Sequence, residues 1–417
     1  MKTPLLLLAA ACLLSGCAAG PKHRVVRFAN WGGAGDDGAV SRAYREVFEE
    51  FERRHPGVEV QVEGTPGSQD YVNKMLLGFV AKSAPDVMTV DASSAAVFLD
   101  NGLLRDLTAL TTKDNEVKLD AYFPNVLNIG RRGDKLFTIP LDFTPMVVFV
   151  NKRLFREAGV PLPSPDWTVD DFRATAKALT KNGKYGFKFT TYMYTWVMWF
   201  WNFNSDVLSP DGRRAEGHFD AEGSIRALQM LADMVMVDRS APALSQAAAS
   251  GIDPFSGGQC AMEVSGHWSL TTYAEAKDLK LEDIAVLPMP RSPGGRSQTV
   301  MYEASVGITR DAKEPELAWE LIKWMTSAEA QRKIQASRIA VCGRKDVAAE
   351  YATDDRERAF LQIVNSARPP WGASVRGYDF VETEGMKLMD GVLKNGLDLK
   401  KGARDAAKAI DKHFSKL

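Results

Sequence analysis

The chain has 417 residues, 45% hydrophobic and 25% charged, with 52 basic side chains against 53 acidic ones. That balance leaves a formal net charge of −1 and no basic footprint for nucleic acid or a general polyanion. The length allows two domains with substantial cores, and beyond the N-terminus no run is long and apolar enough to span a bilayer.

The stretch from Leu5 to Leu14 is apolar but falls short of the roughly 20 residues a spanning helix needs. Lys2 precedes it and small residues follow, which is the pattern of a secretory signal over residues 1–16. Leu14-Ser15-Gly16-Cys17 resembles a bacterial lipobox. That resemblance implies cleavage before Cys17, lipidation of its thiol and new amine, and an extracytoplasmic protein held at a membrane. More than one acyl chain is needed for stable anchoring. Residues 17–24 then form a tether, with Ala19, Gly20, Pro21 and Lys22 as a short leash.

"VVRFANW" opens the folded part as a strand. A helix follows, with Val40, Tyr44, Val47, Phe48 and Phe51 at helical spacing and Pro56-Gly57 as its stop. "VEVQV" is the second strand. Tyr71, Met75, Leu76 and Phe79 mark one face of the next helix, and "PDVMTV" is a strand running into Asp91. "KLFTIP" and "MVVFVN" read as two strands split by "LDFTP". Thr168 to Asp171 resembles a capping box ahead of a helix carrying Phe172, Ala176 and Leu179. "KYGFKF" is a strand, Ile225 to Val235 an amphipathic helix, and "CAMEV" and "DIAVLPM" are strands. "RSPGGRS" reads as a surface loop. The helix "PELAWELIKWM" follows "YEASVGI", and Thr326-Ser-Ala-Glu329 caps the helix after it. Strands alternating with helices predict an α/β fold with a largely parallel sheet.

Of 4 cysteines, Cys12 and Cys17 belong to the N-terminal segment. Cys260 and Cys342 sit in apolar contexts and read as buried free thiols, although an oxidising compartment permits a bridge. The 5 histidines show no metal-ligand spacing, and nothing calls for a cofactor.

Five stretches in order resemble one family. They are "FEEFERRHPGVEVQVE", "APDVMTVDASSAAVFLDNGLLRDLT", "LFTIPLDFTPMVVFVNKRLFREAGVPLPSPDWTVDDF", "FSGGQCAMEVSGHW" and "DAKEPELAWELIKWMTSAEAQRKI". The family is the extracellular solute-binding proteins of ABC importers, of the sugar type that includes maltodextrin-binding proteins. The resemblance implies a periplasmic-binding-protein-like fold of two α/β lobes. Lobe I would comprise 25–142 with 303–344, and lobe II 143–302 with 345–417. It also implies a solute held between the lobes, hinge closure, delivery to permease subunits in the membrane, and a monomer. One departure is "MYEAS": Tyr302 and Glu303 stand where the family often has glycines.

A sugar site needs carboxylates and amides for hydroxyls and aromatic planes for ring faces, placed at the carboxyl ends of strands. Trp31 and Gly33 end the first strand, with Trp31 either a platform or core. Ser68 follows the second. Asp91 ends the third, as a ligand group or a plain helix cap. Asp142 lies at the first crossing. Trp196 belongs to a stripe with Trp199 and Phe203 whose helical spacing is that of a core, but it lies nearest the cleft end. Trp268 follows a strand among small residues. Tyr302, Glu303 and Trp371 complete the candidates. No G-x-S-x-G, H-E-x-x-H or P-loop occurs. A glycosidase would need two carboxylates at a set separation. A polyol phosphate would call for arginines at strand ends, and a polyamine for a cage of acids and aromatics.

Overall fold

The computed structural model describes residues 23–31, 38–114, 116–249 and 251–417, without the side chains of Ser68 and 247–249. The signal, Cys17, most of the tether and Gly33 lie outside these residues.

Strand β1 (Arg24–Asn30) leads into helix α1 (Ala39–Arg54). Ala43, Val47, Phe48 and Phe51 bury one face of α1, and Gly57, at φ +88, turns the chain into β2 (Val58–Gly64). Helix α2 (Ser68–Val80) and strand β3 (Val87–Asp91) follow. Next come β4 (Ile139–Pro145) and β5 (Val147–Asn151). The expected strand "KLFTIP" is thus two elements: Lys135–Leu136 pairs with Arg131–Arg132, and β4 runs straight through "LDFTP". The prolines are tolerated because Pro140 sits at a register shift and Pro145 ends the strand.

The second half holds α3 (Val169–Leu179), β6 (Tyr185–Lys188), α4 (Glu222–Met236), β7 (Cys260–Ser265), α5 (Ser269–Glu275) and β8 (Ile284–Leu287). Thr168 and Asp171 form the expected capping box on α3. Strand β9 (Thr299–Ile308), α6 (Pro315–Met325), α7 (Ala328–Gln335), β10 (Val341–Cys342), α8 (Tyr378–Asn395) and α9 (Leu399–Phe414) follow. The cap of α7 is Ser327, one residue later than expected, accepting from Ala330 N at 3.2 Å.

Two sheets result. The larger runs β10-β4-β9-β3-β1-β2, and the smaller β8-β5-β7-β6. The expectation of a largely parallel arrangement is corrected. Within these two runs only β1–β2, β1–β3 and β6–β7 pair parallel, because the returning strands β4, β5, β9 and β10 enter antiparallel. A single residue, Met146, separates β4 of one sheet from β5 of the other, and its N–H donates to Val300 O at 2.9 Å.

One apolar cluster, with Phe143 of β4 and Phe149 of β5, is shared by the two sheets, and each sheet also has a cluster of its own. Val26, Phe28, Val47, Phe51, Trp319 and Ile322 pack on one face of the larger sheet. Phe172, Trp199, Phe200, Phe219 and Leu231 pack around the smaller, with the Phe172 and Trp199 rings 4.8 Å apart. Cys260 and Cys342 are free and buried. Cys342 donates to Gln331 Oε1 at 2.8 Å, and burial lifts its thiol to about 12.

Candidate functional site

The strand period assembles the site. On the larger sheet, Thr89 and Asp91 of β3, Tyr302 and Ala304 of β9, and Asp142 and Thr144 of β4 share one face by register. Farther down the same face Val87 and Val306 are fully buried in the core. The face therefore changes from apolar to polar towards the carboxyl end of β3. There a cavity of about 680 Å³ opens, within the usual range for a small-molecule site.

Six of the ten candidates line this cavity: Trp31, Asp91, Asp142, Trp268, Tyr302 and Glu303. Trp31 meets Tyr71 edge-on at 5.8 Å and leaves part of its ring open. Asp91 fills both of its readings, since its carboxylate caps the following turn by accepting from Ser93 N at 2.7 Å while lining the cavity. Ala304 pairs with Asp91 on one side and Asp142 on the other. The register shift beside it leaves Leu141 as the extra residue of β4, a device that re-aims side chains near sites. Glu303 is 2% exposed and points to the opposite face of β9 from Tyr302 and Ala304, beside Ser305, with both oxygens sealed from solvent.

Two candidates lie elsewhere, as corrections to the expectation. Trp196 is 1% exposed in the second core, its indole N–H donating to Thr191 O at 3.1 Å. The helical spacing that marked the stripe as core is what decides its position. Trp371 packs beside Gly212 and Val375 and donates to Asp206 Oδ1 at 2.8 Å. Ser68 opens α2 with its side chain outside the described set, as is all of Gly33.

Trp268 is set by its neighbours. His267 is fully buried: its main-chain N–H donates to Thr144 Oγ1 at 2.7 Å and its Nε2 lies 2.8 Å from Glu357 Oε2. That clamp fixes the residue before the indole. A Cβ on Gly266 would collide with the Trp268 ring, so glycine is what lets the ring lie back over the turn. The Trp268, Tyr302 and Tyr194 rings form one wall, with centroids 6.3–6.5 Å apart.

Tyr44 and Arg45 of α1, Tyr194 and Glu382 of α8 also line the cavity and were not singled out from the sequence. On α1 they look like an ordinary solvent face, and Glu382 lies 79 positions beyond Glu303 with no local motif. Burial raises all four inner acids, and Asp91 raises the other three. Asp142 is pushed up to about 7 by burial and then by Asp91. Glu382 is pushed to about 8 by burial, then Asp91 and Asp379. Asp91 is raised by burial against the pull of Ser93. Glu303 stands well above the usual carboxylate range, through burial, with Asp142 and Asp91 adding to it.

A smaller cavity of about 390 Å³ adjoins across Tyr194 and Trp268. Its Lys188 pairs with both Asp253 and Glu263, and Tyr273 donates to Glu263 at 2.9 Å, so each of its charged groups already has a partner. Among the described residues no group of three His, Cys, Asp or Glu is placed to hold a metal ion.

The sequence pattern of the family described as bacterial extracellular solute-binding protein matches residues 35–332. The chain belongs to that family. As a solute-binding protein it binds and releases its solute without catalysing a reaction. A binding protein of Brucella abortus is 22% identical over 339 residues, 78% of this chain and 79% of the relative. The fold is that of an ABC substrate-binding protein from Listeria monocytogenes solved with cycloalternan, with a TM-score of 0.83, 20% identity, and 95% of this chain matched to 100% of that one. It is also that of the GacH receptor of Streptomyces glaucescens, solved unliganded and with acarbose, with a TM-score of 0.81, 20% identity, and 95% matched to 99%. The two-lobed arrangement of this solute-binding protein, with its cavity where the sheets meet, is thus the architecture of its family.

Proposed function

We propose that this chain is the lipid-anchored substrate-binding component of an ABC import system. It captures a sugar or oligosaccharide between two lobes, 25–142 with 303–344 and 143–302 with 345–417, and passes it to the permease as a monomer. The observation that carries the saccharide reading is one cavity pairing an aromatic wall, Trp268, Tyr302 and Tyr194, with carboxyls at Asp91 and Asp142. Ring faces suit the C–H side of a pyranose, and carboxyls suit its hydroxyls. The sugar ligands of the structurally similar Listeria and Streptomyces proteins support the same choice. A phosphate-bearing solute fits less well, because the single basic side chain among the described lining residues is Arg45, exposed on α1.

Within this reading Asp91, Asp142, Trp268 and Tyr302 contact the solute, Trp31 flanks it, and Glu303 lies behind them on the other face of β9. The anchor rests on the Leu-Ser-Gly-Cys pattern ending at Cys17. Among the described residues no helix is long and apolar enough to cross a membrane. Titration calorimetry against a panel of mono- and oligosaccharides tests the function, with small-angle scattering of the same samples. A binding sugar should shrink the radius of gyration and be recovered unchanged. A polyol phosphate that binds while every sugar fails would overturn the saccharide reading.

A further inference from the structure

His267 lines neither cavity, yet three pieces of the larger cavity's wall meet at it. They are Thr144 on β4, Trp268 next in the chain, and the pair Ile339–Ala340 between α7 and β10. Thr144 accepts the His267 main-chain N–H at 2.7 Å. The ring atom Nδ1 lies 3.1 Å from the carbonyl oxygen of Arg338, the residue just before Ile339. Arg338 holds a left-handed backbone, φ +56, which a side chain resists. Its carbonyl meets the buried ring while its own side chain stays 48% exposed. On its other nitrogen, Nε2 lies 2.8 Å from Glu357 Oε2, and Phe360 meets the ring edge-on at 4.8 Å, both from the helix Asp355–Ile363. One helix thus grips the imidazole, and through this residue three wall segments distant in the chain are fixed to one another.

An apolar side chain would fill the same space. A histidine with both ring nitrogens engaged also sets the orientation of what it touches. Walls already ordered in the empty protein leave less freedom to be lost on binding. With the boundaries proposed above, Thr144 and Trp268 belong to lobe II and Ile339–Ala340 to lobe I, so the residue joins walls of both.

We propose that His267 is a positioning residue for solute binding, fixing Trp268 and the Ile339–Ala340 turn relative to each other from behind the cavity. This rests on the reading of that cavity as the solute site.

The test uses two side chains that each copy one ring nitrogen. Asparagine reaches as far as Nδ1 and can donate to Arg338 O. Glutamine reaches as far as Nε2 and can bond Glu357 but not Arg338. Hydrogen exchange of the empty protein, read by mass spectrometry, should be at least tenfold faster over residues 338–341 in His267→Gln and near the wild-type rate in His267→Asn. Calorimetry with glucose, maltose and maltotriose should find affinity about tenfold weaker in His267→Gln and within about twofold of wild type in His267→Asn. The asparagine variant should nonetheless melt at the lower temperature, because it leaves the buried Glu357 without the ring. Thr144→Val removes the acceptor of the main-chain N–H. It is the second variant in case those at 267 do not fold, and it should speed exchange over 266–269. Unchanged exchange in these segments, or affinity that follows melting temperature across the variants, would overturn the proposal. If none of the three sugars binds the wild type, the saccharide reading fails, and the exchange rates alone decide the role of His267.

Discussion

Asp91 and Asp142 stand opposite the same residue, Ala304, one on each flanking strand. Two strand spacings separate their backbones, about 10 Å, and only a methyl group lies between. The space above that methyl is where a solute atom would meet both acids at once. Ala304→Leu should fill it and weaken solute binding at least tenfold. Overpacking costs typically about 1–3 kcal/mol, so the variant should still fold, and a melting curve beside the titration separates the two effects.

Asp142 gives the empty protein a pH-dependent stability of definite sign. Its folded value is about 7, against roughly 3.9 for an unfolded aspartate. The native state therefore binds more protons between those values, and stability falls as pH rises through about 4 to 7. Glu382, at about 8, extends the decline upward. Asp142→Asn cannot ionise. Its melting temperature should match the wild type near pH 4 and exceed it by a few degrees at pH 8, and a difference that stays constant with pH would contradict the assignment.

Trp268→Ala should weaken binding by about tenfold or more, since a buried ring face contributes on the order of 1–2 kcal/mol. Gly266→Ala should reproduce much of that loss without deleting the indole, because its new Cβ displaces the ring. Intrinsic fluorescence should shift on binding in the wild type and shift less in either variant. Unchanged affinity in both would retire Trp268 as a contact.

Trp196 and Trp371 should behave in the opposite way. Trp196→Ala deletes a 1%-exposed core side chain and should cost about 3–5 kcal/mol of stability. Trp371→Phe loses one hydrogen bond to Asp206 and should cost about 1 kcal/mol. Denaturant titration reads both. Affinity measured on the folded fraction should stay at the wild-type value.

Cys17→Ala should abolish lipid labelling and processing at residue 17. Mass spectrometry of the mature wild type should find an acylated Cys17 at the N-terminus. An unmodified N-terminus elsewhere would remove the anchor.

What could be read from the chain follows the range of each signal. The helical stripe of Val47, Phe48 and Phe51 and the Thr168–Asp171 cap are local patterns, and both appear in the structure. Strand β4 was misread because Asp142 and two prolines look like a loop, and only pairing with β9 makes them a strand with a register shift. Asp91, Asp142 and Trp268 were visible as polar or aromatic residues at strand ends, where α/β folds open. Glu382 was not, because a charged residue on a long helix carries no mark until α8 packs beside the cavity. Trp371 misled for the converse reason: an aromatic after Pro369-Pro370 looks exposed, but its partner Asp206 lies far away in the chain.

Strand β9 lies between β3 and β4, and this order has a consequence for the birth of the molecule. Until Thr299 is synthesised, the larger sheet is split into two pieces that share no hydrogen-bonded ladder. At about 5–20 residues per second, on the order of ten to thirty seconds pass between the emergence of Pro145 and that of the strand that unites them. Non-local pairing of this kind is slow to form in any case. The strands of the N-terminal half thus wait for β9 before they can join in one sheet.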